Sequence, residues 1–355
     1  MDHASLIDWQ SDESHVLLNP RMPEEERARL QSYVVDLPGH LWLATSGTTG
    51  SLKLTALSKE AMLASAAAVN RHLQSTSRDV WACVLPTFHV GGLGIYARAF
   101  LSGARVVADA WDPRRFASSE EMTLASLVPA QVSDLVEAGL RPPAQLRAIV
   151  VGGGVLRDDF YSAARRLGWP LLPSYGMTET CSQVATAALA SSDLVLLGHV
   201  EARTGDDGRL AFRGPSLLTG YGTEQGFVDP KVDGWFVSED LGTVEHGVLR
   251  VDGRRGDFIK VGGESVDLNR LDGILAAIAG RRAAVIAMPD LRLGSVVHLA
   301  VEAGVTGQTV LDTFNESVLP FERARKLHEV REIPRTPLGK LLRKTLAEEV
   351  SKSLE

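Results

Sequence analysis

The chain has 355 residues, 45% of them hydrophobic and 23% charged, and a net charge of −7, the balance expected of an ordinary soluble protein with room for more than one domain. There is no basic block, which argues against nucleic-acid binding, and no apolar run reaches the ~18 residues of a membrane span. Cys83 and Cys181 show no metal-binding spacing and read as structural thiols of a reducing cytoplasm, and Met1-Asp2-His3 does not open a signal peptide.

Residues 1–40 are polar, and Pro23 to Leu30 predicts a short helix opened by proline in its first turn. Leu41 to Ala44 is an apolar run that predicts a buried strand; Ser58 to Leu73 predicts an alanine-rich helix with Ser58 as its N-cap. Between them lies Thr45-Ser46-Gly47-Thr48-Thr49-Gly50-Ser51-Leu52-Lys53. Small and hydroxylated residues let this backbone turn tightly and bring several N–H and O–H donors to one point, which suits a polyphosphate. A plain surface turn uses the same letters. A Walker A loop is excluded, because Gly47 and Gly50 are too close together and Leu54 follows Lys53. The expected layout is strand, phosphate loop, helix.

From Leu41 to Leu172 the pattern alternates strand and helix, with segments at Val80 to Leu85, Gly94 to Leu101, Ala104 to Ala108, Ser133 to Ala138 and Leu146 to Val151. This predicts an α/β layered domain with a largely parallel sheet. Leu194 to Val251 carries shorter β runs broken by Gly/Asp turns and reads as a smaller β-rich unit. Asp252 to Asp257 is charged and glycine-containing, as in a linker. Beyond it, helices at Leu268 to Ala279 and Thr309 to Leu319 and strands at Ala283 to Ala287 and Val296 to Val301 predict a compact α+β domain of about 100 residues.

Several segments carry candidate chemistry. Pro86-Thr87-Phe88-His89-Val90-Gly91-Gly92 places a histidine beside an aromatic at a strand end, where it is a packing residue if taken alone. Ile149-Val150-Val151-Gly152-Gly153-Gly154 is a strand running into three glycines: either a tight turn or a surface that a flat base approaches without meeting a Cβ. Ser174-Tyr175-Gly176-Met177-Thr178-Glu179-Thr180 offers an aromatic face, a hydroxyl and a carboxylate suited to a hard cation. Trp235 to Gly242 contains Asp240, and a carboxylate can accept from both hydroxyls of a ribose. Pro334-Arg335-Thr336-Pro337-Leu338-Gly339-Lys340 ends in a lysine.

In this order the segments resemble the adenylate-forming, AMP-binding enzymes, with T-S-G-[ST]-T-G-x-P-K-G, P-x-F-H-x-x-G, Y-G-x-T-E, W-[YF]-x-T-G-D and P-x-T-x-x-G-K patterns. The resemblance implies an ATP-dependent acid:thiol ligase that uses ATP, Mg²⁺ and coenzyme A. A large N-terminal domain, 1–254, of layered α/β sheets with the β-rich unit would bind AMP, and a small mobile α+β domain, 255–355, would carry the catalytic lysine.

Carried over by motif, Thr45, Ser46, Gly47, Thr48, Thr49, Gly50 and Lys53 would cover the phosphates. Gly152, Gly153, Gly154, Ser174, Tyr175, Gly176 and Met177 would form the adenine site, with Asp240 and Arg254 at the ribose. Thr178 would contact the α-phosphate, Glu179 would hold Mg²⁺, and Lys340 would stabilise the charge developing during adenylation. His89 would line the acid pocket, Gly262 and Gly263 the thiol channel, and Gly256 would be the hinge.

The His89 region, running on to Arg98, is most similar to the branch of the family that activates an aryl dicarboxylate, o-succinylbenzoate. Arg98 then serves as partner for the carboxylate that is not activated; a surface arginine on a helix is the competing reading. Another aryl or medium-chain acid, and a non-catalytic nucleotide-binding relative, stay open as alternatives, as do a carrier-protein thiol in place of coenzyme A and a homodimer. Leu52 and Leu54 depart from the pattern around Lys53, and Ser238-Glu239 replaces Thr-Gly before Asp240. Only about 44 residues precede the loop, so part of the acid-pocket wall is expected to be lacking or supplied otherwise.

Overall fold

A computed structural model describes residues 7–46, 52–154, 156–189, 191–254, 258–261, 264–290, 293–318, 320–337 and 339–353. The chain forms two compact units, one from Met1–Ser238 with Gly242–Arg250 and the other from Glu239–Leu241 with Val251–Glu355. No described helix is long and apolar enough to cross a membrane.

A five-stranded sheet has the order His15–Leu17, His40–Ser46, Leu52–Ser58, Gly220–Thr223, Gly226–Val228. The predicted succession of strand, loop and helix is corrected here. A second strand, Leu52–Ser58, follows the loop and pairs antiparallel with His40–Ser46 from His40↔Ser58 to Ser46↔Leu52. The physical reason is burial. Leu54 and Ala56 pack with Trp42 and Leu30 in one cluster, and a buried segment must pair its backbone polar groups. The helix Lys59–Leu73 starts directly after this strand, and Ser58 Oγ accepts from Ala61 N–H at 3.0 Å as the expected N-cap.

The larger sheet contains the parallel series Arg105–Ala108, Val80–Cys83, Leu124–Leu127, Ala148–Val151, Leu171–Met177. Ala82, Leu127, Ile149, Val151 and Leu171 from these strands form one core with Val132, Leu135 and Ala164 of the helices Pro129–Glu137 and Asp158–Arg166. At the start of the series Arg147 donates to both carboxylate oxygens of Asp79, at 2.9 and 2.8 Å. The β runs from residue 194 onward continue the same sheet by antiparallel pairing through Ser182–Thr186 and Leu194–Leu196, while Gly220–Thr223 and Gly226–Val228 join the five-stranded sheet. Of the segment Asp252 to Asp257, read as a linker, residues 252–254 complete the strand Val248–Arg254, and 255–257 lie outside the described residues.

In the second unit, strand alternation assigns each residue to a face. Val285, Val297, Leu299 and Val301 pack with Leu271, Leu275 and Phe314 of the helices Leu268–Ala279 and Gly307–Glu316. Ala284, Ile286, Met288, Val296 and Ala300 face Leu346 and Val350 of the helix Arg343–Lys352. The fold class read from the sequence is the one formed.

Candidate active site

Ala148–Val151 and Leu171–Met177 are parallel neighbours, with Val151 opposite Pro173. Gly152 therefore leaves the sheet beside Ser174, whose hydroxyl donates to Val151 O at 2.9 Å. A Cβ on Gly152 would sit 2.9 Å from Ser174 Oγ, and Gly153 has φ +78°. Gly153 and Gly154 are exposed, so the strand end presents bare backbone beside Tyr175. The Tyr175 ring lies 6.0 Å from that of Phe212. Gly176 follows at a register shift, and a Cβ there would fall 1.8 Å from Ser182 O. Only glycine lets the two strands approach this closely.

Thr178–Thr180 forms one turn of 3-10 helix that reverses the chain into the strand Ser182–Thr186. Thr180 is fully buried; its hydroxyl accepts from Met177 N–H and lies 2.8 Å from Ser182 O. Cys181 and Ser182 take φ of 53° and 101°, a left-handed backbone that non-glycine residues adopt at a cost of ~1–3 kcal/mol each. This turn fixes Glu179, whose main-chain oxygen accepts from Leu218 N–H at 2.8 Å. The Tyr221 hydroxyl donates to Glu179 Oε1 at 2.9 Å.

Tyr221 stands opposite Thr55 across the paired strands, and Lys53 Nζ lies 3.2 Å from the centroid of its ring. Thr45 and Thr55 are joined by a 2.9 Å hydroxyl contact. The two strands flanking the glycine-rich loop are thereby tied to the turn bearing Glu179. Among the described residues no three His, Cys, Asp or Glu side chains come together. A magnesium ion held mainly by phosphate oxygens and water needs no such group, and one half-buried carboxylate fits it.

His89 is the N-cap residue of the helix Val90–Ser102. Burial pushes its pKa down, and its Nε2 is buried without a partner among the described residues, so the ring is neutral at pH 7. Arg98 lies on the same helix and is 2% exposed, which rules out the surface-arginine reading. It donates to Ser126 Oγ and Ser182 Oγ, each at 3.2 Å, and to Gln183 Oε1 at 2.6 Å. Burial lowers its pKa to about 10, leaving it charged at neutral pH.

Asp240 lies within the strand Phe236–Glu245, and Arg254 ends the strand Val248–Arg254; both group with the second unit, as does Lys340. The motif around Lys340 is a turn-forming pattern. Thr336 O accepts from Gly339 N–H, Thr336 Oγ1 accepts from Lys340 N–H at 3.1 Å, and Gly339 takes φ +81°. Arg335 and Leu341 close the turn as a β-bridge and leave Lys340 exposed. Gly47, Thr48, Thr49, Gly50, Gly256, Gly262 and Gly263 lie outside the described residues; Ser46 is placed only by its pairing with Leu52.

Tyr221, Trp81, Ser126, Ser182 and Gln183 were not legible as site residues. For Tyr221 a signal exists in Gly220-Tyr221-Gly222. A Cβ at Gly220 would meet Phe227 at 2.5 Å, and one at Gly222 would meet Tyr33 O at 2.4 Å. An aromatic between two such glycines marks a strand pressed on both sides.

A glycine-lined strand end beside an aromatic ring, at the carboxyl ends of neighbouring parallel strands in the middle of the sheet, is the setting in which α/β proteins take a nucleotide. The chain belongs to the AMP-binding enzyme family, whose profile matches residues 41–221, and the expectation of an adenylate-forming enzyme is met. It is similar to the 2-succinylbenzoate–CoA ligase of Bacillus licheniformis, 30% identical over 328 residues that cover 85% of this chain and 68% of that protein. The o-succinylbenzoate CoA synthetase of Bacillus subtilis bound to its acyl adenylate has 28% identity and a TM-score of 0.76, over 86% of this chain and 68% of the other. The same Bacillus subtilis enzyme in complex with ATP and magnesium gives a TM-score of 0.78 at 25% identity, over 97% and 81%.

Proposed function

We propose that this protein is an ATP-dependent acid:CoA ligase that acts through an acyl adenylate, and that its acid is o-succinylbenzoate, converted to the CoA thioester for menaquinone biosynthesis. The observation that carries the choice of acid is Arg98. A buried guanidinium whose hydrogen-bond partners among the described residues are neutral supports a role in receiving the carboxylate that is not activated.

The chain's own groups have distinct tasks in this reading. Thr45 and Lys53 on the paired strands, with the loop between them, cover the β- and γ-phosphates. Tyr175 and the Gly152–Gly154 backbone take the adenine, Thr178 contacts the α-phosphate, and Asp240 and Arg254 hold the ribose. Glu179, oriented by Tyr221, holds Mg²⁺, which when bound neutralises phosphate charge. His89, neutral and desolvated, lines the acid pocket. Lys340 at its turn stabilises charge on the reacting carboxylate and α-phosphate. Exchange of Lys340 for the Gly262–Gly263 segment through a hinge at Gly256 then admits the thiol, as two-state domain motions do.

A cytoplasmic location and a homodimer complete the reading; fractionation and light scattering test them. The main test is ATP–pyrophosphate exchange with a panel of acids. Exchange is expected with o-succinylbenzoate and not with medium-chain monoacids. Exchange with a monoacid at comparable KM would reassign the acid, and none with any acid would make the chain a nucleotide-binding relative without turnover.

A further inference from the structure

Arg98 is held by groups that satisfy its hydrogen bonds without cancelling its charge. Ser126 and Ser182 offer hydroxyls, Gln183 an amide oxygen, and its Cζ lies 5.4 Å from the centroid of the Trp81 ring, which is fully buried. The orientation of Gln183 is fixed by its other end, where Nε2 donates to Thr186 Oγ1 at 2.7 Å. A guanidinium only donates, so the oxygen must face it. No carboxylate is among the partners of Arg98 in the described residues, and its Nε is buried without a partner.

A buried arginine is ordinarily paired with an acid. Here its partners among the described residues are neutral, and two local features serve the arrangement. Ser182 adopts φ 101° to bring its hydroxyl to the guanidinium. Gly94 lies one helical turn before Arg98, and a Cβ there would stand 3.2 Å from Nη2. A whole positive charge kept in low-dielectric surroundings attracts an entering anion far more strongly than one already paired.

We propose that Trp81, Ser126, Ser182 and Gln183 are positioning residues that keep Arg98 in place and electrostatically uncompensated, and that this neutral cradle sets the preference for an acid bearing a second carboxylate. The inference rests on the reading of Arg98 given above.

Gln183→Glu, Trp81→Phe and Arg98→Met in the full chain separate the two ideas. Gln183→Glu closes an internal ion pair. The KM for o-succinylbenzoate is then expected to rise about 30-fold or more, with the KM for ATP within about threefold and the melting temperature equal or higher. Trp81→Phe weakens the cation–π contact and is expected to raise the KM for the diacid about 3–10-fold. If Gln183→Glu melts early, Ser126→Asp brings a carboxylate to Nη1 instead and carries the same expectation. A diacid KM unchanged in both acidic variants, or an equal rise in the KM for ATP, overturns the cradle. An unchanged diacid KM in Arg98→Met overturns the assignment of Arg98 itself; a raised KM there with none in Gln183→Glu or Ser126→Asp removes the cradle alone.

Discussion

The hydroxyl of Tyr221 donates a 2.9 Å hydrogen bond to Glu179 Oε1 and so joins the five-stranded sheet to the turn that follows the longest parallel neighbour, Leu171–Met177. A hydrogen bond to a charged group contributes ~1.5–3 kcal/mol. Tyr221→Phe removes the bond but keeps the ring beneath Lys53. The magnesium concentration for half-maximal pyrophosphate exchange is expected to rise about tenfold, with a melting temperature lower by about 3–6 °C. Unaltered magnesium dependence would detach Tyr221 from the proposed metal site.

Lys340 is exposed at the end of a turn fixed by Thr336 and Gly339. Lys340→Gln is expected to slow adenylate formation about 10²–10³-fold. Thioester formation from a supplied acyl adenylate should change less than about threefold, because the lysine serves only the charge of the first step. Equal loss in both half-reactions, followed by rapid quench, would contradict the assignment.

Asp79 and Arg147 give a pH-dependent contribution. Burial alone would raise the Asp79 pKa, but hydrogen bonds from Arg147, Thr76 and Thr123 and the Arg147 charge outweigh it and bring it to about 2. The folded value is below the unfolded one, so the stabilisation is complete above pH ~4 and is lost as pH falls through about 2. Its size is about 2 kcal/mol, reduced toward 1 because Arg147 is 38% exposed. Asp79→Asn is expected to lower the melting temperature of the first unit by about 3–6 °C at pH 7. The gap from the native chain should close between pH 4 and 2; a constant gap would show that packing, not charge, is responsible.

Gly176 and Gly139 make a contrasting pair. A Cβ at Gly176 would meet the Ser182 main-chain oxygen at 1.8 Å, whereas at Gly139, φ +62°, nothing lies within 4 Å. Gly139→Ala is expected to cost about 1 kcal/mol through backbone strain alone and to leave nucleotide binding intact. Gly176→Ala must part the strand that carries Tyr175 from Ser182–Thr186, at either end of the turn that holds Glu179, so the Kd for ATP should rise at least about tenfold. Calorimetry on both variants reads stability and binding together.

The sequence motifs were good guides wherever chemistry and backbone demand the same residue. Gly176 is glycine because two strands touch there, and Thr336 and Gly339 of the lysine motif form the turn that presents Lys340. The apolar run from Ala283 to Met288 divides residue by residue between two cores. The strand Leu52–Ser58 was hidden because it is buried on both faces, with Leu54, Thr55, Ala56 and Leu57 all at 0% exposure, so period-2 alternation was absent. The partners of Arg98 were hidden for another reason. Ser126 lies on the strand Leu124–Leu127 and Ser182 and Gln183 on Ser182–Thr186, and only the fold brings the two strands to one guanidinium.

Ser46 and Leu52 occupy the last rung of an antiparallel ladder, so the five residues between them leave and rejoin the fold at one fixed spacing. Closing that ring is accomplished by the ladder itself, whatever conformation the ring takes. The entropy of closure grows only as the logarithm of ring size, so even doubling the number of residues would cost about 0.6 kcal/mol. Length in this segment is therefore nearly neutral for the scaffold, and in the proposed reading the nucleotide, rather than folding, would select it.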